Sequence, residues 1–162
     1  MHAEGERVAR IEPDVRIGEG TTIGDFVLVR SGSVIGARCV IGSFVGVEGD
    51  VVIGDDVSIQ SGCHLTRGLR ISDLVFFGPR VTTMNDRRIT HRRPNIPFEL
   101  RAPRVLRAAR VGGGSLLLPG VTVGENAFVT SGSVVVTDVA DRAIVAGNPA
   151  RVIGKVARGE CL

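Results

Sequence analysis

The chain has 162 residues, a formal net charge of +3, 43% hydrophobic residues, 22 glycines, and neither Trp nor Tyr. That length makes one domain with a real core, and without large aromatics the core has to be filled by stacked medium aliphatics. No 18-residue apolar run is present, which excludes a helical membrane span. The three cysteines (Cys39, Cys63, Cys161) are odd in number and lack metal-site spacing, which excludes a disulfide framework and fits a reducing cytosol.

In chain order, the first residues, Met1 to Arg10, lack the apolar stretch of a signal peptide, so a cytoplasmic protein is expected. From Ile11 onward a period of six takes over. Stepping by six from Ile11 meets Ile17, Ile23, Val29, Ile35, Ile41, Val47, Ile53, Ile59, Leu65, Ile71 and Phe77, all apolar. At this composition such a run arises by chance about four times in 100,000. Four residues after each lies an uncharged partner, from Val15 through Cys39 and Cys63 to Val81.

An even period keeps both positions on one face of an extended segment, so the prediction is short strands with two inward side chains per hexad. Gly18, Gly24, Gly36, Gly42, Gly54 and Gly78 follow the first inward residue and are expected to let the chain turn. That glycine is missing at Glu12, Arg30, Glu48 and Thr66, 18 residues apart. The spacing predicts three hexads per triangular coil, with one corner unlike the other two. The coils are expected over 11–82 and again over 111–140, within one β-helical domain covering 1–162.

Residues 83–110 break the repeat with a long loop carrying Asn85, Asp86, His91 and eight arginines. Long irregular loops in small domains tend to carry function. A prism with a solid aliphatic interior has no internal pocket, so sites must form outside it, between copies and under such loops. The arginines read either as a solvated surface or as phosphate ligands, since guanidinium matches phosphate geometry. Nucleic acid is disfavoured, because Phe98 is the loop's only aromatic for stacking. His91 is a candidate general base; His64 ends a hexad just before inward Leu65, so it points outward and reads as structural or incidental. Three scattered histidines do not make a metal site. A second run of hexads follows from Val111, and a C-terminal segment over 141–162 closes the chain, its basic tail at 151–162 expected to fray.

Taken together, the hexads resemble the hexapeptide-repeat acyltransferase superfamily. The resemblance covers the chain from about Ile11 to Val156. It is carried most specifically by Leu118-Pro119-Gly120-Val121-Thr122-Val123-Gly124, Ser131-Gly132-Ser133 and Gly147-Asn148-Pro149-Ala150-Arg151. It implies an all-β fold, a left-handed parallel β-helix, assembled as a homotrimer with acetyl-CoA lying between subunits and no metal. The stretch Phe77-Gly78-Pro79 followed by Thr83-Met84-Asn85-Asp86 is similar to the bacterial nucleotide-linked 3-amino-sugar N-acetyltransferases, although Met84 splits their Thr-Asn pair.

That resemblance implies N-acetylation of an amino sugar on a nucleotide carrier. Asn85 would orient the amine, with Asp86, Arg87 and Arg88 near the acceptor. Gly113, Ser131, Asn148, Arg151 and Lys155 would meet coenzyme A. A neutral amine already carries its lone pair and needs aiming more than deprotonation, which an Asn carbonyl can supply. The alternative is O-acetylation of a sugar or alcohol, which needs a base such as His91. Neither nucleic acid nor membrane is expected as a partner.

Overall fold

The computed structural model describes residues 8–162; His2 lies outside the described residues. The chain winds as a left-handed parallel β-helix of triangular coils. Each hexad contributes a two-residue strand. The first face stacks Arg10–Ile11, Leu28–Val29, Gly46–Val47, His64–Leu65, Thr82–Thr83, Leu116–Leu117 and Val134–Val135. The second face runs from Arg16–Ile17 to Thr122–Val123, and the third from Thr22–Ile23 to Phe128–Val129.

Pairing is parallel with an 18-residue register, Leu28 beside Gly46 and Ile35 beside Ile53. Three hexads therefore close one coil, as the missing glycines indicated. The second residue of each strand faces inward and, from Val29 on, is buried; so is the corner residue four later, Val27, Val45 or Val81. The interior is thus a solid column of Val, Ile and Leu, with Phe77 its largest fully buried side chain. At the first coil Ile11 and Ile17 stay exposed.

The hexad glycines serve a purpose other than the expected one. Positive φ is found two residues further on, at Gly20, Gly32, Phe26, Arg38 or Phe44, and that is where the corner turns. At Gly42, by contrast, an added Cβ would stand 2.6 Å from the Ser61 amide nitrogen in the next coil. Glycine is kept there because coils one strand spacing apart leave no room for a side chain. The corner amides beside these glycines are capped from the next coil by side chains. Asp55 accepts from the Ala37 N–H (2.8 Å), and Asp73 from that of Asp55 (2.8 Å).

The distinct first corner, between the first and second faces, releases the loop. The coil resumes at Arg104–Val105, which pairs with Arg70–Ile71 below and Thr122–Val123 above. The excluded loop is therefore 84–103, and the restart moves from 111 back to 104. Val105 stands one hexad before Val111 and continues the same inward series; the surrounding arginines disguised it by facing outward.

The tail also differs from expectation. Ala150–Lys155 folds back antiparallel on Ala143–Gly147 above the third face, and a short 3-10 turn follows at Arg158–Glu160. The end is tied down rather than frayed. Leu162 N–H donates to Asn126 Oδ1 (2.8 Å), and Arg110, stacked on the Phe128 ring, lies 3.7 Å from the Glu160 carboxylate.

Candidate functional site

The cleft nearest the loop lies on the first face where it meets the first corner. It encloses about 280 Å³ and is lined by His64, Thr66, Thr82, Thr83, Met84, Asn85, Asp86 and Ile89. Its floor is set by coil geometry. Thr83 is buried, and its hydroxyl accepts from the Thr66 N–H (2.8 Å) while donating to the His64 carbonyl (3.2 Å). The two threonines thereby lock the cleft's two coils together.

Asn85 leaves that floor with the loop, and two hydrogen bonds hold it. Its Nδ2 donates to the Arg67 carbonyl one coil below (3.0 Å), and its own carbonyl accepts from the Arg101 N–H (2.7 Å). Arg67 is itself fixed by an ion pair to Asp50 at 2.6 Å. Because a carbonyl can only accept, the bond to Arg67 settles which end of the Asn85 amide faces which way. Oδ1 is left as a hydrogen-bond acceptor with no intramolecular partner among the described residues.

The remaining sequence candidates fall in several places. Asp86 shares the cleft and bridges to Leu100, closing the loop's base as an antiparallel pair. Arg87 turns to a neighbouring hollow with Arg101, Pro119 and Asp138, and lies 3.9 Å from the Glu99 carboxylate. Arg88 is exposed on the loop. His91 is exposed at a turn further out, where its carbonyl accepts from Arg93, and it does not line the cleft. The histidine beside Asn85 is His64. Its signal was available: it stands one coil before Thr82 in the outward column of the first face.

Gly113 and Ser131 occupy the third corner, between the third and first faces, at successive levels. The Gly132 N–H donates to the Gly113 carbonyl (2.9 Å). A Cβ on Gly113 would stand 3.0 Å from Pro79, so its smallness serves coil stacking as well as leaving backbone bare. The hairpin turn after Gly147 continues the same corner upward. It begins two residues past Val145, the partner of Val129, just as Ser131 lies two past Val129. Asn148 is exposed in that turn, and Arg151 and Lys155 are exposed on its second strand. Arg151 lines a hollow of about 340 Å³ at the top of the prism. The structure thus gathers Gly113, Ser131 and Asn148 along one edge, and puts Asn85 on the next.

Residues 32–67 match the family model described as bacterial transferase hexapeptide, six repeats. The bifunctional protein GlmU of Brevibacillus brevis is 34% identical over 134 residues, 81% of this chain and 26% of that protein. A maltose O-acetyltransferase from Clostridium difficile 630 superposes with a TM-score of 0.59 and 26% identity, covering 79% of this chain and 71% of that one. AntD, an N-acyltransferase from Bacillus cereus solved as a mutant with dTDP and coenzyme A, reaches 0.61 over 95% of this chain and 80% of its own. At 19% identity that last likeness is one of fold. The chain spans about a quarter of the length of the first curated relatives it matches, 24% and 26%. Repeat and coils together make this chain similar to the bacterial hexapeptide transferases, with residues 32–67 carrying the family match.

Proposed function

We propose that the chain transfers an acetyl group from acetyl-CoA to the amine of a nucleotide-linked amino sugar, at sites between the subunits of a homotrimer. The observation that carries this reading is the Asn85 amide, held by the Arg67 carbonyl so that its Oδ1 is free to accept. An acceptor amine donating to Oδ1 would have its lone pair aimed at the thioester. The nitrogen then attacks the thioester carbon, and the carbonyl π pair moves onto oxygen. Collapse of the tetrahedral adduct breaks the C–S bond, and the departing thiolate takes the proton released by the nitrogen. Backbone N–H groups of the corners are the natural donors for the transient oxyanion. The hexapeptide match and the likeness to the maltose enzyme support acetyl transfer from acetyl-CoA.

Gly113, Ser131 and Asn148 are assigned to the pantetheine edge, and Arg151 and Lys155 to the coenzyme phosphates. With Asn85 one edge away, a second copy is needed to bring the two edges together, which is the reason for the trimer. Asp86, Arg87 and Arg88 are assigned to the acceptor. Three free thiols suit a cytoplasmic setting.

O-acetylation is the second reading, and one observation favours it: His64 lines the same cleft as Asn85. In that reading His64, or His91 reaching a neighbouring subunit, takes the hydroxyl proton. Thiol release from acetyl-CoA, with amine and hydroxyl acceptors offered separately to Asn85→Ala, His64→Ala and His91→Ala, decides between them. Amine acetylation should fall at least 100-fold in Asn85→Ala and less than tenfold in both histidine variants. A hydroxyl preference together with collapse in either histidine variant alone would reverse the order.

A further inference from the structure

The third corner carries a second arrangement that the acetyl-transfer reading does not use. Its left-handed positions, one per coil, are Phe26, Phe44, Gly62, Arg80, Gly114 and Gly132. Phe26 and Phe44 stack face to face, with centroids 5.1 Å apart and planes 15° apart. They are 59% and 64% exposed, although φ is near +60° at both, where an aromatic residue is strained. The next rung has no side chain. A Cβ on Gly62 would find only Arg80 Cγ, at 3.4 Å, and nothing within 4 Å on the Phe44 side. Arg80, above the gap, has no carboxylate within 4.0 Å among the described residues, whereas Arg38 at the second corner is tied to Asp56 at 2.7 Å.

Phe44 and Arg80 are two strand spacings apart, about 10 Å. That leaves room for one planar ring between an aromatic face and a guanidinium, both of which stack on nucleobases. From Gly62 the first face runs through His64 to Thr66, four residues or about 13 Å, straight into the Asn85 cleft.

We propose that the gap at Gly62 is the nucleoside subsite of the acceptor, with the base stacked between the Phe44 ring and the Arg80 guanidinium. The sugar then lies across the first face with its amine at Asn85. This assignment rests on the acceptor being a nucleotide-linked sugar. The occupied ladder extends Phe26–Phe44 by one more ring, which explains why two exposed phenylalanines are held in left-handed backbone.

Calorimetric titration with UDP, dTDP and GDP, and separately with coenzyme A, tests the assignment on the wild type and on Phe44→Asn, Gly62→Asn and Arg80→Gln. Asn is among the side chains that best accept positive φ, so Phe44→Asn removes the platform and Gly62→Asn blocks the gap with only a small backbone cost. At least one nucleotide should bind the wild type, and each variant should weaken it about fivefold or more, as loss of one base–aromatic stack implies. Coenzyme A should bind all four proteins within twofold. Unchanged nucleotide affinity in Phe44→Asn and Gly62→Asn overturns the subsite and reduces the rings to a stabilising ladder. Weakened coenzyme A binding overturns it in favour of the coenzyme's adenine, and a wild type that binds no nucleotide overturns it outright. Acetyl-CoA turnover is read in parallel with an amino-sugar nucleotide. Turnover with an unchanged KM in Phe44→Asn sinks the subsite alone, whereas a wild type that releases no thiol sinks the acyl-transfer reading.

Discussion

Replacing Gly42 by Ala probes the physical principle on which the coils rest. The new Cβ would stand 2.6 Å from Ser61 N, 2.9 Å from Gln60 C and 3.0 Å from Ser61 Cα, all backbone atoms that cannot swing aside. Restoring an ordinary contact of about 3.4 Å requires the two coils to part locally by about 0.8 Å. The bonds spanning that seam, Gly42 N–H to the Ile59 carbonyl at 2.8 Å and Gly62 N–H to the Ser43 carbonyl at 2.9 Å, would then stretch past hydrogen-bonding range. Two such bonds at about 1 kcal/mol each, with about 1 kcal/mol of overpacking, give a loss of about 3 kcal/mol. For a domain of this size that is a fall in Tm of about 6–12 °C. Differential scanning calorimetry at matched concentration reads it. Gly159→Ala is the control, since a Cβ there meets nothing within 4 Å, and it should stay within about 1 °C. A Gly42→Ala melt within 2 °C of wild type would refute the argument. It would mean the seam accepts a Cβ there as it does one level up, where Gln60 occupies the same corner and its N–H still reaches the Phe77 carbonyl at 2.9 Å.

Two further expectations follow from the interior and the tail. Burial pushes the Cys63 thiol up to about 11, against about 8.5 in an unfolded chain, and its Sγ donates to the Gly78 carbonyl (3.2 Å). Its contribution is whole below about pH 8.5 and is lost as pH rises toward 11, because the unfolded chain sheds a proton the folded chain keeps. Urea midpoints at pH 8 and pH 10.5 should therefore drop more in wild type than in Cys63→Ala; equal drops would contradict this. Asn126→Gly keeps the positive φ at that position but removes the clasp on Leu162, so hydrogen exchange over 158–162 should accelerate while Tm moves by less than about 2 °C. Tail protection equal to wild type would show that the Arg110–Glu160 ion pair suffices by itself.

Much of this molecule was written in the order of its residues. A period of six with two inward positions admits only short strands, and the interrupted glycine at Glu12, Arg30, Glu48 and Thr66 counted three strands to a coil before any coordinates were needed. Those facts are local, because each coil reads the same pattern and buries it against its neighbour. The place of Asn85 was legible too, at the point where the repeat stops. The glycines were identified correctly but for the wrong reason: φ is a local property, whereas the clash at Gly42 involves Ser61, a full coil away. Val105 was hidden behind outward arginines, and the pinned tail depends on Asn126, 36 residues from its partner.

What tertiary structure alone decided is which side chains share an edge or a face. Stacking at an 18-residue register put His64 rather than His91 beside Asn85, and lined up Phe26, Phe44, Gly62 and Arg80 as rungs of one ladder. Sequence spacing within a hexad says which way a residue points. The closing of three hexads into a coil sets its neighbours above and below, and a binding site is made of those neighbours.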